Sequence, residues 1–324
     1  MALLPPWHWL LEVNTSGSVY YLLANLVALS VGVLRPQWLG CGRRVWLVLV
    51  LLVLSGAHVR PLRALLLPRP EVQPGTTFSL LYANVNTRRG EPTRLGALIT
   101  EHHPDLIALL EVNERWLGAL DLGDRYPHHR SVPREDNFGV ALYSRLPLVG
   151  ETTTTVGGDL PPVVVTGLEV VPGRTVRLAL LHAVPPLSNE ALHANTLLLR
   201  RVVTPLRHEQ GPVLVVGDLN ATPASRFYQR FVSGGGLLPA SVGSGYRASW
   251  NALVPFPRLM IDHVLYRGSI EAGVHARDTR QEEPGADELP DLAVTDFRRL
   301  SPFGSDHYPL LVRFSLSPSG SQDG

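Results

Sequence analysis

Polar side chains follow several β-like segments of this 324-residue sequence. Asp218 and Asn220 come directly after the apolar run VLVVG, and His182 ends the run RLALLH. Taken singly, such residues often only form turns and local hydrogen bonds. The whole set of polar residues at predicted strand ends comprises Asn84, Asn86, Glu111, His182, Asp218, Asn220, Asp262, Asp306 and His307.

This set contains four carboxylates, which would repel one another if they came together without a positive charge nearby. Strand ends display side chains to a shared cleft, where several carboxylates would repel one another unless a cation or a reacting phosphate were present. The single cysteine, Cys41, excludes both an internal disulfide and a thiolate metal cluster. We therefore expect any metal ion to be bound by oxygen or imidazole ligands.

The elements that must position these residues alternate between strands and helices. Apolar segments rich in Val and Leu predict strands, and the list of them is FSLLYANV, DLIALLEV, NFGVALYSR, PVVVTGLEVV, RTVRLALLHAV, VLVVGDLN, IDHVLYR and YPLLVRFSL. Thr93 is predicted to cap a helix that stops before Pro104, and Gly211 to end a second helix that starts at Ser188. A short helix is predicted over 225–232, with loops over 233–249 and 281–291. The pattern predicts a large sheet system.

The N-terminal region has a different composition. Gly17 to Leu34 holds 18 residues without a charge, and Val45 to Val59 holds 15. These runs predict about two transmembrane helices in residues 1–60, with core helices or a cleaved signal peptide as the alternatives. A signal peptide is disfavoured because no Lys or Arg precedes Arg35. A proline-rich linker is predicted over 61–76, one domain over 77–316 and a disordered tail over 317–324.

Charge argues modestly against strong nucleic-acid binding. All basic residues are Arg, which suggests a bacterial coding sequence, and residues 71–324 carry 23 Arg against 27 acidic residues. A tight, sequence-independent DNA binder usually presents a basic face. The apolar N-terminal runs and the Arg-only composition predict a protein of the bacterial cell membrane. The arginines that flank the two runs are equally divided, and the large domain is expected on the outer side.

Six motifs resemble one known family in order and spacing. They are NVN at residues 84–86, PDLIALLEVN at 104–113, HAVPP at 182–186, GDLNATP at 217–223, IDHVLY at 261–266 and GSDHYPLLV at 304–312. The sequence resembles the endonuclease/exonuclease/phosphatase superfamily, which is deoxyribonuclease I-like, over residues 77–316. The resemblance implies an α+β fold, a four-layer α/β-sandwich in which two mixed β-sheets pack face to face with helices outside.

The resemblance also implies a role for each matching residue. Glu111 would be the principal ligand of one Mg²⁺, or of Mn²⁺ in its place, and Asn84 and Asp306 would complete the metal site. His182 and His307 would flank the phosphate, and Asp262 would orient His307. Asp218 would activate the attacking water, and Asn220 would donate to a phosphate oxygen. Asn86 has no assigned role, Asn137 is left between substrate contact and turn, and His263 is expected to be structural.

These expectations combine into one functional hypothesis. It is divalent-metal-dependent hydrolysis of a phosphate ester by a membrane-anchored enzyme of the phosphodiesterase, phosphatase or nuclease class. The substrate would be a nucleic acid, a phospholipid or an inositol phosphate, and the lipid bilayer would be the other partner, with no protein partner expected. The alternatives are a lipid head-group phosphodiesterase of the sphingomyelinase type and a catalytically silent, membrane-tethered binding module.

Overall fold

The structure is a computed structural model that describes residues 8–34, 41–69, 71–72, 74–153, 160–269 and 291–317. Its helices are α1 (His8–Ser16), α2 (Ser18–Leu34), α3 (Cys41–Leu62), α4 (Pro92–His102), α5 (Glu114–Leu120), α6 (Asn189–Leu198), α7 (Thr204–Leu206) and α8 (Arg226–Gly235). Its strands are β1 (Thr76–Asn84), β2 (Leu106–Leu110), β3 (His128–Val132), β4 (Val140–Ser144), β5 (Leu148–Thr153), β6 (Val164–Val171), β7 (Arg174–His182), β8 (Val213–Asp218), β9 (Leu238–Pro239), β10 (Asp262–Arg267), β11 (Leu292–Arg299) and β12 (Leu310–Leu316).

The strands form two mixed sheets of six strands each. The first sheet has the order β11-β12-β1-β2-β4-β3, and the second has the order β5-β6-β7-β8-β10-β9. Pairing is parallel between β1 and β2 and between β7 and β8, and the other neighbouring strands are antiparallel. One buried apolar cluster draws on both sheets and fills the space between them. The predicted pair of mixed sheets packed face to face is confirmed.

Helices cover the outer face of each sheet. Leu95 and Ile99 of α4 and Trp116 of α5 pack on outward-facing residues of the first sheet. Tyr228 and Phe231 of α8, together with residues of α6, pack on outward-facing residues of the second sheet. The result is the four-layer sandwich that the resemblance implies.

The alternation of side chains brings four polar residues to the same end of the sandwich. Successive residues of a strand point to opposite faces, so every second residue faces the core between the sheets. Continuing that inward alternation to the last or first residue of four strands reaches a polar side chain in each case. These residues are Asn84 on β1, His182 on β7, Asp218 on β8 and Asp262 on β10.

Some local boundaries differ from the predicted ones. Helix α4 has Glu91, not Thr93, at its N-cap, because Pro92 takes the first helical position, where its missing N–H costs nothing. The helix after Ser188 continues through a π turn at Leu199–Val203 and ends at Leu206, before Gly211. Strands β3, β5, β9 and β11 have no counterpart among the predicted strands; β3, for example, has the polar sequence HHRSV and lies at a sheet edge. Most of the predicted loop 281–291 and of the predicted tail lies outside the described residues.

The predicted transmembrane helices are not supported. Among the residues that the structure describes, no helix is both long enough and apolar enough to cross a bilayer. Helix α2 has 17 residues, a length of about 25 Å against a hydrocarbon core of about 30 Å. Helix α3 has 22 residues, but these include Arg43, Arg44 and Arg60.

Instead, the N-terminal helices contact the sandwich at defined places. The Glu12 carboxylate of α1 accepts a hydrogen bond of 3.4 Å from the backbone N–H of Phe227 in the first turn of α8. An acid in that position also interacts favourably with the helix dipole of α8. The hydroxyl of Tyr20 on α2 hydrogen-bonds to the backbone of Arg258, and the Tyr20 ring lies edge-on to Phe256. Within the predicted linker, Arg63–Leu66 forms a 3₁₀ turn whose Leu65 is buried.

Candidate active site

A cleft of about 680 Å³ opens at the end of the sandwich where the polar strand ends meet. Of the residues predicted to do chemistry, those that line the cleft are Glu111, His182, Asp218, Asn220, Asp306 and His307. Asn84 and Asp262 are buried and hydrogen-bonded to these residues. All eight predicted site residues therefore belong to one connected group.

Strand register holds three members of the group side by side. His182 pairs with Asp218 across the parallel strands β7 and β8, and Asp218 pairs with Asp262 across the antiparallel strands β8 and β10. Gly217 makes the β7–β8 approach possible, because a Cβ at this position would lie 1.9 Å from the carbonyl oxygen of Leu181. The glycine before Asp218 is thus required by the packing of the backbone.

Asp218 and Asn220 form a tight turn after β8. Asp218 Oδ1 accepts a hydrogen bond of 2.7 Å from the backbone N–H of Asn220, whose φ is 47°. Asn residues tolerate this left-handed conformation better than most side chains. The Asn220 amide donates to the carbonyl oxygen of Ala183 at 2.8 Å, and its nitrogen lies 3.4 Å from His182 Nε2. The turn presents a carboxylate and an amide to the same cleft.

His307 is held by a buried carboxylate. Its Nδ1–H donates to Asp262 Oδ2 at 2.8 Å, and Asp262 Oδ1 accepts from the Tyr82 hydroxyl at 2.5 Å. His307 Nδ1 also lies 3.9 Å from Asp218 Oδ2. Burial alone would lower the pKa of His307, but the charge of Asp262 and the hydrogen bond to it raise that pKa to about 10. The imidazole is therefore a cation at neutral pH.

A second chain of hydrogen bonds joins Glu111 to Asp306. The Asn84 amide donates to Glu111 Oε1 at 2.9 Å and to Asp218 Oδ2 at 3.3 Å. The backbone N–H of Asn86 donates to Asn84 Oδ1 at 3.1 Å, and the Asn86 side-chain amide donates to Asp306 Oδ1 at 2.7 Å. Asn86, which has no role from the sequence, thus connects the two outer carboxylates.

The charges of the cleft fit a divalent cation. Burial is the largest cause that raises the pKa of Glu111, and burial followed by the charge of Asp262 raises the pKa of Asp218 well above its usual range. Glu111 Oε2 is buried and has no hydrogen-bond partner. A buried carboxylate oxygen without a partner is costly unless a cation binds it. Mg²⁺ and Mn²⁺ prefer oxygen ligands of this kind.

A second group of ligand atoms is also close enough to hold an ion. One atom each from Asp218, Asp262 and His307 lie within 4.8 Å of one another. However, both carboxylate oxygens of Asp262 already accept hydrogen bonds, one of them from His307. The unpaired oxygen of Glu111 is the better ligand, because it gains a partner without breaking an existing bond.

Sequence reasoning missed several supporting residues. Tyr82 lies two residues before Asn84 on the same inward face of β1, so strand alternation could have revealed it. Trp250 Nε1 donates to Asp306 Oδ2 at 3.0 Å, and Ser249 Oγ accepts from the backbone N–H of Asp262 at 3.0 Å. Trp250 and Ser249 come from an irregular segment that carries no periodic signal.

The residues left open by the sequence have distinct positions. His263 Nε2–H donates to the carbonyl oxygen of Ala221 at 2.8 Å, and its ring contacts Tyr228 on the helix side of the second sheet. Burial lowers the pKa of His263 to about 4, so it is a neutral structural residue, as expected. Asn137 has a φ of 66° and lines the cleft, so it both makes a turn and borders the site.

This chain resembles known proteins both in sequence pattern and in fold. The sequence model of the Endonuclease/Exonuclease/phosphatase family matches residues 81–307. The human Nocturnin catalytic domain with a bound sulfate anion is 22% identical with a TM-score of 0.54, covering 77% of this chain and 98% of that chain. D. rerio TDP2 complexed with a single-strand DNA product is 14% identical with a TM-score of 0.56, covering 74% and 99%.

A bacterial protein of known structure also has a similar fold. The endonuclease/exonuclease/phosphatase from Bacteroides vulgatus is 17% identical with a TM-score of 0.54, covering 75% of this chain and 100% of that chain. At these identities the likeness concerns the fold alone. No curated protein matches the chain by sequence.

Proposed function

Since the chain belongs to the endonuclease/exonuclease/phosphatase family, we propose that it hydrolyses a phosphate ester with the help of Mg²⁺, or of Mn²⁺ in its place. One observation carries the proposal. A cationic His307, paired with buried Asp262, lies beside the Asp218 carboxylate in a cleft where Glu111 keeps an unpaired oxygen. A cation, a base and a metal ligand together are what hydrolysis of an anionic ester requires.

Asp218 is the proposed base. Its raised pKa makes it a better proton acceptor than an ordinary carboxylate, and it lines the cleft with one oxygen accepting a weak 3.3 Å bond from Asn84. The other oxygen is fixed by the backbone N–H of Asn220. Asp218 would orient a water molecule and take its proton as the water oxygen bonds to phosphorus. The P–O bond to the leaving group breaks, and the leaving oxygen keeps the electron pair.

The proposed partners of the phosphate are His307, Asn220 and His182. His307 is held protonated by Asp262, so it can donate a charge-assisted hydrogen bond to a phosphate oxygen. The Asn220 amide has a second N–H besides the one that Ala183 accepts. Burial lowers the pKa of His182 to about 4, so this imidazole would contact the phosphate as a neutral group.

Glu111 is the proposed principal metal ligand, with Asp306 and Asn84 beside it. The hydrogen bonds through Asn84 and Asn86 hold the two carboxylates in place. A divalent ion bound there would offset the acidic charge of the cleft and stabilise the charge that develops on the phosphate oxygens. Asn84 is the weakest of the three proposed ligands, because its side-chain oxygen already accepts a hydrogen bond from the backbone N–H of Asn86.

Glu111→Gln is expected to weaken metal binding while leaving the fold intact. The substitution keeps the shape of the side chain and the acceptor for Asn84, but it removes the charge that faces the ion. We expect the Mg²⁺ concentration for half-maximal hydrolysis of bis-p-nitrophenyl phosphate to rise by roughly tenfold or more. Titration calorimetry with Mg²⁺ gives a second readout that does not depend on turnover.

Glu114→Gln is the matched control, since it makes the same chemical change at an exposed helix position. EDTA should abolish turnover by both the unmodified protein and this control. An unchanged Mg²⁺ titration in Glu111→Gln would remove Glu111 from the ligand set. Absence of any metal-dependent turnover by the full chain would favour a silent binding module instead.

We also propose that the enzyme works at a membrane surface. The support is a set of exposed apolar side chains on α2 and α3, including Val27 at 63% and Trp46 at 71% exposure. Apolar helix faces of this kind bind the interfacial region of bilayers. We expect the full chain to co-sediment with phospholipid vesicles, and Val27→Asp combined with Trp46→Asp to reduce the bound fraction. A protein that stays in the supernatant with both neutral and anionic vesicles would contradict this location.

A further inference from the structure

The walls of the cleft differ in chemistry from its floor. The floor carries the carboxylates and imidazoles of the proposed site. One wall is built by Val13 of α1 and Tyr20 of α2, and another by residues 185–187, which follow β7. Leu187 is 65% exposed and Val13 is 40% exposed although both border the cleft. Solvent-exposed apolar side chains thus lie at the entrance to a strongly polar site.

The N-terminal wall is fixed to the sandwich at the middle of α1 and at the start of α2. Glu12 neighbours Val13 and contacts the first turn of α8. Tyr20 hydrogen-bonds to the backbone of Arg258 and contacts Phe256. Glu12 is buried to 5% exposure, which an acid reaches only when it has a partner. These contacts make α1 and α2 a part of the cleft and not a mere tether.

The charge of the cleft limits the number of phosphates that it can accept. Among the described residues that line it, none is an Arg, and the whole sequence has no Lys. Asp136 adds a further acid at the rim, where it is paired with Arg134. Polyanions such as nucleic acids and multiply phosphorylated ligands need several cationic contacts. A single phosphate needs fewer such contacts, and one divalent ion can balance most of its charge.

We propose that the substrate is a phosphate ester bearing one hydrocarbon group, and that Val13, Tyr20 and Leu187 determine this specificity by contacting that group. The inference rests on the proposed function, because it uses the same cleft and the same reacting phosphate. Each methylene that leaves water for an apolar wall adds to the binding free energy. The apolar wall therefore selects for the chain, and the polar floor selects for the phosphate.

A series of alkyl p-nitrophenyl phosphates tests the proposal without assuming a head group. Methyl, butyl, hexyl and octyl esters share the reacting phosphodiester and the leaving group, and each is used as a dissolved monomer. We expect kcat/KM of the full chain with Mg²⁺ to rise by at least about tenfold from the methyl to the octyl ester. The same octyl ester carried in phospholipid vesicles distinguishes a substrate presented by a lipid surface from one that is free in solution.

Val13→Asp and Leu187→Asp should flatten the rise with chain length. Both positions are exposed, so the substitutions should not disturb the core, and neither residue takes part in the proposed chemistry. The expected result is a loss of about tenfold for the octyl ester with little change for the methyl ester. Leu238→Asp is the matched control, because Leu238 is an apolar residue of similar exposure, 46%, outside the cleft lining.

The outcomes separate this inference from the proposed function. If the methyl ester is not hydrolysed at all, the proposed function fails. If the methyl ester is hydrolysed but kcat/KM is independent of chain length, only the present inference is overturned. It is overturned as well if an oligonucleotide is hydrolysed with a higher kcat/KM than the octyl ester, or if Val13→Asp and Leu238→Asp behave alike.

Discussion

Replacing Asp218 by Asn is expected to lower turnover of bis-p-nitrophenyl phosphate by roughly 10³-fold while the protein stays folded. The loss follows from removing the base that takes the proton of water, a contribution of about 10² to 10⁴ in comparable sites. The fold should persist because an Asn oxygen can still accept from the Asn220 backbone N–H. Removing one negative charge also relieves repulsion from Asp262 and Glu111. The unfolding temperature is therefore expected to stay the same or to rise.

Asp105→Asn is the matched control for this prediction. Asp105 directly precedes β2, and its carboxylate accepts from the backbone N–H and the hydroxyl of Ser79, outside the cleft. We expect Asp105→Asn to lose stability and to keep turnover per folded molecule, the reverse of Asp218→Asn. Near-normal kcat in Asp218→Asn, measured with saturating Mg²⁺, would exclude Asp218 as the base.

Replacing His307 by Gln should damage both activity and stability. Turnover is expected to fall by about 10² to 10⁴, because the cationic donor to the phosphate is lost. In addition, Asp262, which is 1% exposed, is left as a buried charge without its cation. Breaking a buried ion pair in this way costs about 3 to 5 kcal/mol in the free energy of unfolding. Denaturant unfolding followed by circular dichroism measures that loss.

The double substitution Asp262→Asn with His307→Gln separates the two effects. Neutralising Asp262 removes the unpaired charge, so part of the lost stability should return. Turnover should not return, because neither neutral residue replaces the imidazolium. A His307→Gln protein as stable as the unmodified one would show that the buried pair contributes nothing to folding. Recovery of turnover in the double variant would assign the role of His307 to folding alone.

The motifs allowed most of the central site to be predicted from the sequence. Each of the predicted residues His182, Asp218 and Asp262 ends or begins a strand, and strand alternation then fixes which face it takes. The apolar runs identified eight strands because buried strands are rich in Val and Leu. The edge strand β3 was missed, because a strand with one solvated face and no apolar stripe has no such signal.

Contacts between distant segments could not be predicted. Trp250 reaches Asp306 from an irregular segment, and nothing in its neighbours indicates that direction. The apolar run of α2 has a length close to that of a membrane span, and composition alone does not tell which surface it contacts. The positions of Val13 and Tyr20 in the folded chain show that the N-terminal helices border the cleft. Tertiary contacts of this kind override local sequence preference.

The pairing of His182, Asp218 and Asp262 across three adjacent strands makes the site sensitive to chain length. Deleting or inserting one residue within residues 213–217 would turn Asp218 toward the helices and bring Leu219 or Gly217 into its place. No intermediate arrangement exists, because each side chain of a strand points to one face of the sheet or to the other. Variation in length among chains that keep this chemistry must therefore accumulate in the connecting loops, and the three strands must change by substitution alone.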